Sequence, residues 1–131
     1  MRHLVAAMLL VVAAIHLLPL PGVLGAERLA ALYGFAVGDP NLEILMRHRA
    51  VLFGLLGAFL AVAAFRPELQ VAALIAGFVS TLAFVGLAWS TGGYNAAIAR
   101  VVTVDLVALA CLVVGAGARW RLRRRGLRLF H

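Results

Sequence analysis

The sequence has few charged residues and almost no cysteine. Only 13% of its residues are charged, whereas 65% are hydrophobic. A chain of this composition would expose large apolar surfaces in water, so a soluble globular protein is excluded. Cys111 is the single cysteine. Because there is no second cysteine, an intramolecular disulfide and a metal site built from paired cysteines are excluded.

Lysine is absent. All twelve basic residues are arginines, against five acidic residues, which gives a net charge of +7. Basic residues that flank a membrane span stay on the cytoplasmic side, so their clustering near the C-terminus predicts that the C-terminus is cytoplasmic. We expect the tail to contact anionic lipid, with Trp120 and Phe130 in the headgroup layer, and we expect no nucleic-acid partner. Six arginines lie in this tail: Arg119, Arg121, Arg123, Arg124, Arg125 and Arg128.

Four apolar stretches dominate the sequence. Each approaches or exceeds the roughly 17 to 25 residues that a membrane-spanning helix needs. The sequence therefore predicts an all-α integral membrane four-helix bundle over residues 1–118 and a basic cytoplasmic tail over 119–131. Arg2 and Arg66 agree with a topology in which both termini are cytoplasmic. The stretches are residues 4–18, 44–65, 69–89 and 96–116.

The first stretch also resembles a secretory signal, because Arg2 precedes an apolar run and small residues follow near Gly25. Two features favour its retention as a span. His16 interrupts the apolar run, and hydrophobic residues continue past it to Leu24.

The connection after the first stretch has a structure of its own. The prolines of residues 19–22 end the first helix, because proline lacks the backbone donor. Residues 26–33 then have a short amphipathic helical pattern that Gly34 stops. We expect this helix to lie on the outer surface or to form a lid over the bundle. Asp39 or Asn41 should cap the second span, which is predicted to begin near Leu42.

Polar residues within the spans are the candidates for function, since an ionisable group in hydrocarbon costs several kcal/mol unless it is paired or reaches water. With both termini inside, most of them fall in the outer half of the bundle, and Asp105 lies near the midplane. We interpret them as a polar ligand-binding cluster. Its residues are His16, Glu43, Arg47, His48, Trp89, Tyr94, Asn95, Arg100 and Asp105.

The second span indicates how the cluster is organised. Arg47 shares a helix face with a row of small residues, and small residues let helices approach closely in lipid. We therefore expect Arg47 to point into the bundle and to pair with Glu43 one turn away. Arg49 is rotated by roughly 200° from Arg47 and is expected to reach the outer headgroups. The small residues are Ala50, Gly54, Gly57, Ala58 and Ala61.

Each of these residues also has a structural interpretation. Arg100, like Arg49, could be a lipid-facing anchor, and His16 could be a neutral histidine bonded to a backbone or hydroxyl group. Trp89 and Tyr94 suit an interfacial aromatic belt. Asp105 could fix the helix register or bind a ligand or proton. It needs a donor from another span, for which we expect one of three residues: Arg47, His48 or Thr81.

Two segments carry a resemblance to a known group. Residues 46–57 read MRHRAVLFGLLG and residues 88–95 read AWSTGGYN, with Arg100 and Asp105 after them. They resemble a group of small bacterial four-helix membrane proteins, and the arrangement is similar to the DoxX-like families. The resemblance implies a four-helix bundle in the bacterial inner membrane. Members of the group often carry the label phosphopantetheine adenylyltransferase, but such an enzyme needs a soluble nucleotide-binding α/β domain that this sequence does not encode.

Three classes of function follow from the cluster. We favour a binding or accessory membrane protein. In it, the arginines bind the headgroup of a lipid or isoprenoid-like molecule, or the cluster binds a partner subunit. The second class is an intramembrane enzyme or redox protein, for example with haem held by His16 and His48. The third is a small proton-coupled transporter that works as a homo-oligomer and uses Asp105. Nothing in the sequence identifies a cofactor.

Overall fold

The computed structural model describes the backbone of residues 1–128 and the side chains of residues 1–124. Over this range it has five α-helices and no strand: α1 (Arg2–Leu17), α2 (Ala26–Tyr33), α3 (Pro40–Phe65), α4 (Gln70–Thr91) and α5 (Ala96–Arg128). A 3-10 helix, Leu20–Leu24, follows α1. The predicted all-helical fold is confirmed. The expected headgroup contacts of Arg125, Arg128 and Phe130 lie outside the described side chains.

Four helical segments in the described chain are long and apolar enough to cross a membrane: Arg2–Leu24, Pro40–Phe65, Gln70–Thr91 and Ala96–Arg124. Large apolar side chains such as Leu55, Val79 and Val113 point outward from the middle of these segments and are mostly exposed. A soluble protein would bury such residues, whereas a bilayer solvates them. The chain is therefore a multi-pass membrane protein.

The four long helices form a ring in which α1 packs on α3 and α5, and α4 packs on the same two helices from the other side. Successive spans run in opposite directions, so α1 begins, and α5 ends, at the same end of the bundle. We call this the tail end and the opposite end, which carries α2, the α2 end. Helix α5 continues past residue 118 to Arg128, so the predicted basic tail begins as a continuation of the fourth span.

An apolar core fills the centre of the ring. Leu9 of α1, Leu60 of α3 and Leu112 of α5 are fully buried there. A smaller apolar cluster of Leu29, Tyr33 and Val37 holds α2 against the bundle. Helix α2 is therefore a lid, one of the two positions expected for it.

Local sequence signals set the helix boundaries. Helix α2 ends at Gly34, whose φ of 72° is in the left-handed region that favours glycine. Asp39 caps α3 by accepting a hydrogen bond from the Asn41 backbone at 2.8 Å, and Pro40 takes the first helical position. Both signals were correctly interpreted from the sequence, although α3 begins slightly earlier than predicted.

The predicted small-residue face of α3 packs on α1. A methyl group on Gly57 would lie 2.8 Å from Cγ of Leu17 and 3.1 Å from the carbonyl oxygen of Ala13. Gly54 is similarly close to Leu20. The Ala13 oxygen belongs to the backbone and cannot rotate away, so glycine at position 57 sets the distance between the two helices.

We expect Gly57→Ala to lower the free energy of unfolding by about 1–3 kcal/mol, because the added methyl group overpacks the contact between α1 and α3. Gly86→Ala is the matched control, since nothing lies within 4 Å of a methyl group there; it should be neutral or stabilise by up to about 1 kcal/mol. Thermal unfolding of both variants in mild detergent, followed by circular dichroism, measures the difference. Equal midpoints would contradict the proposed close contact.

Candidate functional site

A cavity of about 310 Å³ lies at the α2 end, under the lid and between α1, α3 and α5. Its walls are mainly apolar, with Ile15, Leu32 and Val104 among them. Five side chains with polar groups also line it: His16, Tyr33, Arg49, Arg100 and Asp105. An apolar cavity with a few convergent polar groups is the usual form of a small-molecule site. Three of the nine predicted site residues, His16, Arg100 and Asp105, therefore share one cavity.

Arg49 provides the central positive charge of this cavity. One terminal guanidinium nitrogen donates a hydrogen bond to the Tyr33 hydroxyl at 2.6 Å. The guanidinium carbon lies 4.6 Å from the ring centre of Phe53, 5.4 Å from that of Tyr33 and 5.6 Å from that of Phe84. Contacts with aromatic faces stabilise a cation where little water reaches it. The expectation that Arg49 reaches the lipid headgroups is wrong.

The physical reason is that α3 buries two adjacent faces. Its small residues contact α1, but a second row of Arg49, Phe53 and Leu60 faces the bundle interior. The pattern of small residues identifies only the first face. The spacing of Arg49, Phe53 and Leu60 is also helical and could have indicated the second face. Phe53 is absent from the predicted site for the same reason, whereas Tyr33 is absent because it lies on α2, outside the spans from which the candidates come.

Asp105 lies on α5 and is only 7% exposed. The described residues form two ion pairs within 4.0 Å, Arg47 with Glu43 and Arg66 with Glu68, and Asp105 belongs to neither. Arg49 lines the same cavity as Asp105. The cavity therefore contains a buried carboxyl group and a partly buried guanidinium that do not form a direct ion pair.

The three predicted donors to Asp105 are directed elsewhere. Arg47 and His48 are exposed and do not line the cavity. The Thr81 hydroxyl donates to the Gly77 carbonyl of its own helix at 2.8 Å. The prediction of a donor among them is wrong, because Arg47 and His48 lie on an exposed side of α3 and the Thr81 hydroxyl is bonded within α4.

His16 is 2% exposed, and both of its ring nitrogens have partners. Nδ1 donates to the Val12 carbonyl at 2.9 Å, and Nε2 lies 3.1 Å from the Ser80 hydroxyl. With Nδ1 as the donor, Nε2 accepts from Ser80. The ring also stacks on Phe53 at 5.6 Å. These bonds match the structural interpretation of His16, and they do not bring it to His48, the other residue of the haem hypothesis.

Arg47 and Glu43 form the predicted pair, with 3.3 Å between the guanidinium and the carboxylate. Arg47 also donates to the Val23 carbonyl at 2.8 Å. This pair ties the 3-10 helix to α3 outside the cavity, so the expectation that Arg47 points into the bundle is wrong. Such an exposed ion pair contributes little stability.

The remaining predicted residues surround the cavity without lining it. Trp89 is 62% exposed. Tyr94 borders a second cavity of about 400 Å³, on the far side of Arg49 and Tyr33 from the first. The pair of Arg49 and Tyr33 lines both cavities and separates them. Of this group, Asn95 alone has a clear structural role.

Asn95 connects the lid to α5. Its Nδ2 donates to the carbonyl oxygens of Tyr33 at 2.9 Å and Gly34 at 3.3 Å. Its Oδ1 accepts from the Ile98 backbone at 2.9 Å and so caps α5. One side chain therefore fixes both the end of the lid and the start of the last span.

We expect Asn95→Asp to keep the cap on α5 but to release the lid, because a carboxylate cannot donate to the two carbonyl oxygens. Amide hydrogen exchange in residues 26–34 should become faster by on the order of tenfold, the effect of losing about 1 kcal/mol of hydrogen bonding between the lid and α5. Hydrogen exchange with mass spectrometry measures this. Asn41→Ala is the control, since the Asn41 side chain contacts only Asp39. An unchanged lid in Asn95→Asp would show that the two hydrogen bonds do not hold it.

Comparison of the chain with protein-family models, curated proteins and solved structures gives no match. The resemblance to small bacterial DoxX-like membrane proteins stays a prediction.

Proposed function

We propose that the chain is a membrane-embedded binding protein whose cavity at the α2 end holds the polar head of a lipid or isoprenoid-like molecule. The observation that supports this most is the placement of Arg49 and Asp105 in one largely apolar cavity without a direct ion pair. Separated charges in apolar surroundings are costly. A ligand that accepts from the guanidinium and donates to the carboxylate would offset that cost.

The cavity favours a particular ligand chemistry. Hydroxyl and carbonyl groups can accept from Arg49, and a hydroxyl can also donate to Asp105. At about 310 Å³ the cavity is at the small end of ligand sites, so it accommodates a headgroup and not a whole lipid. Its apolar walls between α1 and α5, such as Ile15 and Val101, provide a path for a hydrocarbon tail. Arg100, exposed at the rim, would contact a head that carries negative charge.

The proposed location is the bacterial cytoplasmic membrane, with both termini in the cytoplasm. Arg2, Arg66 and the arginines of α5 from Arg119 onward lie at the tail end, and basic residues flanking spans stay on the cytoplasmic side. The lid and its cavity then face the outer leaflet. The ligand would enter from that leaflet or from the external solution.

We expect Arg49→Gln to reduce copurification of the ligand by on the order of tenfold or more, because a charge-assisted hydrogen bond and the aromatic contacts of the cation are lost. Tyr33→Phe should give a smaller reduction, since it removes only the hydroxyl that orients Arg49. The measurement is mass spectrometry of lipids and small molecules that remain bound after purification in mild detergent.

Arg47→Gln is the matched control, because it removes the same charge from the same helix outside the cavity. Thermal unfolding of each variant separates a binding defect from a folding defect. If Arg49→Gln and Arg47→Gln are both folded and retain the ligand equally, this cavity is not the binding site. If a protein subunit copurifies in place of a small molecule, the cavity binds a partner protein and not a lipid.

A further inference from the structure

A third cavity, of about 390 Å³, lies at the tail end, where α1, α3, α4 and α5 meet. Three arginines line it: Arg2 from α1 and Arg119 and Arg123 from α5. His3 and Gln70 add polar groups, and no acidic side chain is among its lining residues. Positive charge from both ends of the described chain therefore converges on one concave surface.

Arg119 shows that this cavity is more than a solvated row of charges. One of its terminal nitrogens donates to the Pro67 carbonyl at 3.2 Å, which fixes the guanidinium beside the loop between α3 and α4. Its Nε is buried and has no hydrogen-bond partner among the described residues. Buried donors almost always have an acceptor in native structures. Gln70, a polar residue only 6% exposed, borders the same cavity.

We propose that this cavity binds the phosphate group of an anionic phospholipid. The planar guanidinium group of arginine can donate two parallel hydrogen bonds to two oxygens of one phosphate. A phosphate in the cavity would accept hydrogen bonds from the guanidinium groups of the arginines that line it. The rest of the lining is apolar, including Ala6, Ala64 and Leu122.

The position of the cavity favours a lipid over free phosphate. It lies at the ends of spans, where the headgroup layer of a bilayer begins. Phe65 lines it and is 71% exposed, so an apolar surface continues outward from the phosphate position. Acyl chains attached to the phosphate would lie along that surface. This site is independent of the cavity under the lid.

The experiment compares two double variants in which α5 loses the same charge. Arg119→Gln with Arg123→Gln removes two arginines from the cavity. Arg121→Gln with Arg124→Gln removes two arginines that do not line it, one of which rests on the Trp120 ring at 4.9 Å. Each protein is placed in nanodiscs of phosphatidylcholine with or without phosphatidylglycerol. Native mass spectrometry then counts the phosphatidylglycerol that stays bound, and thermal unfolding gives its stabilising effect.

We expect the cavity variant to lose bound phosphatidylglycerol by about tenfold per arginine, the effect of a lost charge-assisted hydrogen bond. The control variant should keep the bound lipid. It should lose only the long-range attraction of its arginines to the anionic membrane surface, which salt screens. Equal losses of bound phosphatidylglycerol in both double variants would overturn the site, because they would show that general surface charge holds the lipid. Stabilisation of the wild type by inorganic phosphate in phosphatidylcholine alone, equal to that by the lipid, would overturn the lipid assignment.

Discussion

The Arg49 guanidinium, partly buried at one end of an apolar bundle, constrains much of the surrounding structure. No water is available within hydrocarbon, so its charge must be compensated by protein groups. Tyr33 provides a hydroxyl and a ring face, and Phe53 and Phe84 provide two more ring faces. These partners come from α2, α3 and α4. The cation therefore holds the lid and two spans in a defined arrangement around the cavity.

The lid depends on this cation and on Asn95. Arg49 bonds to the Tyr33 side chain, whereas Asn95 bonds to the Tyr33 backbone. Leu29, fully buried beside Tyr33, adds apolar contact. A helix of eight residues is too short to be stable alone. Its position over the cavity is thus determined by tertiary contacts, which also means that opening the lid and moving Arg49 are coupled.

Most of the fold could be predicted from the sequence, because apolar length and breaker residues are local signals. The bounds of α2, the stop at Gly34 and the cap at Asp39 all follow from a few adjacent residues. The site was predicted less well. A helical period gives the angle of Arg49 relative to Arg47, but not which angle faces a neighbouring helix. Helix α3 contacts both α1 and α4, so two of its faces are interior. The row of small residues indicates only the face with Arg47, and the helical spacing of Arg49, Phe53 and Leu60 does not by itself rank the second face above it.

The two cavities at opposite ends are separated by packed apolar residues. Leu9, Leu60 and Leu112 are fully buried between them, and a methyl group on Gly77 would come within 2.9 Å of Leu112. These side chains belong to one contiguous apolar core. A polar path across the membrane would require this core to open. Binding at either end requires no such movement, because each cavity is already formed and carries its own arginines. The packing of the core therefore favours two separate binding sites, one at each membrane surface, over a path across the membrane.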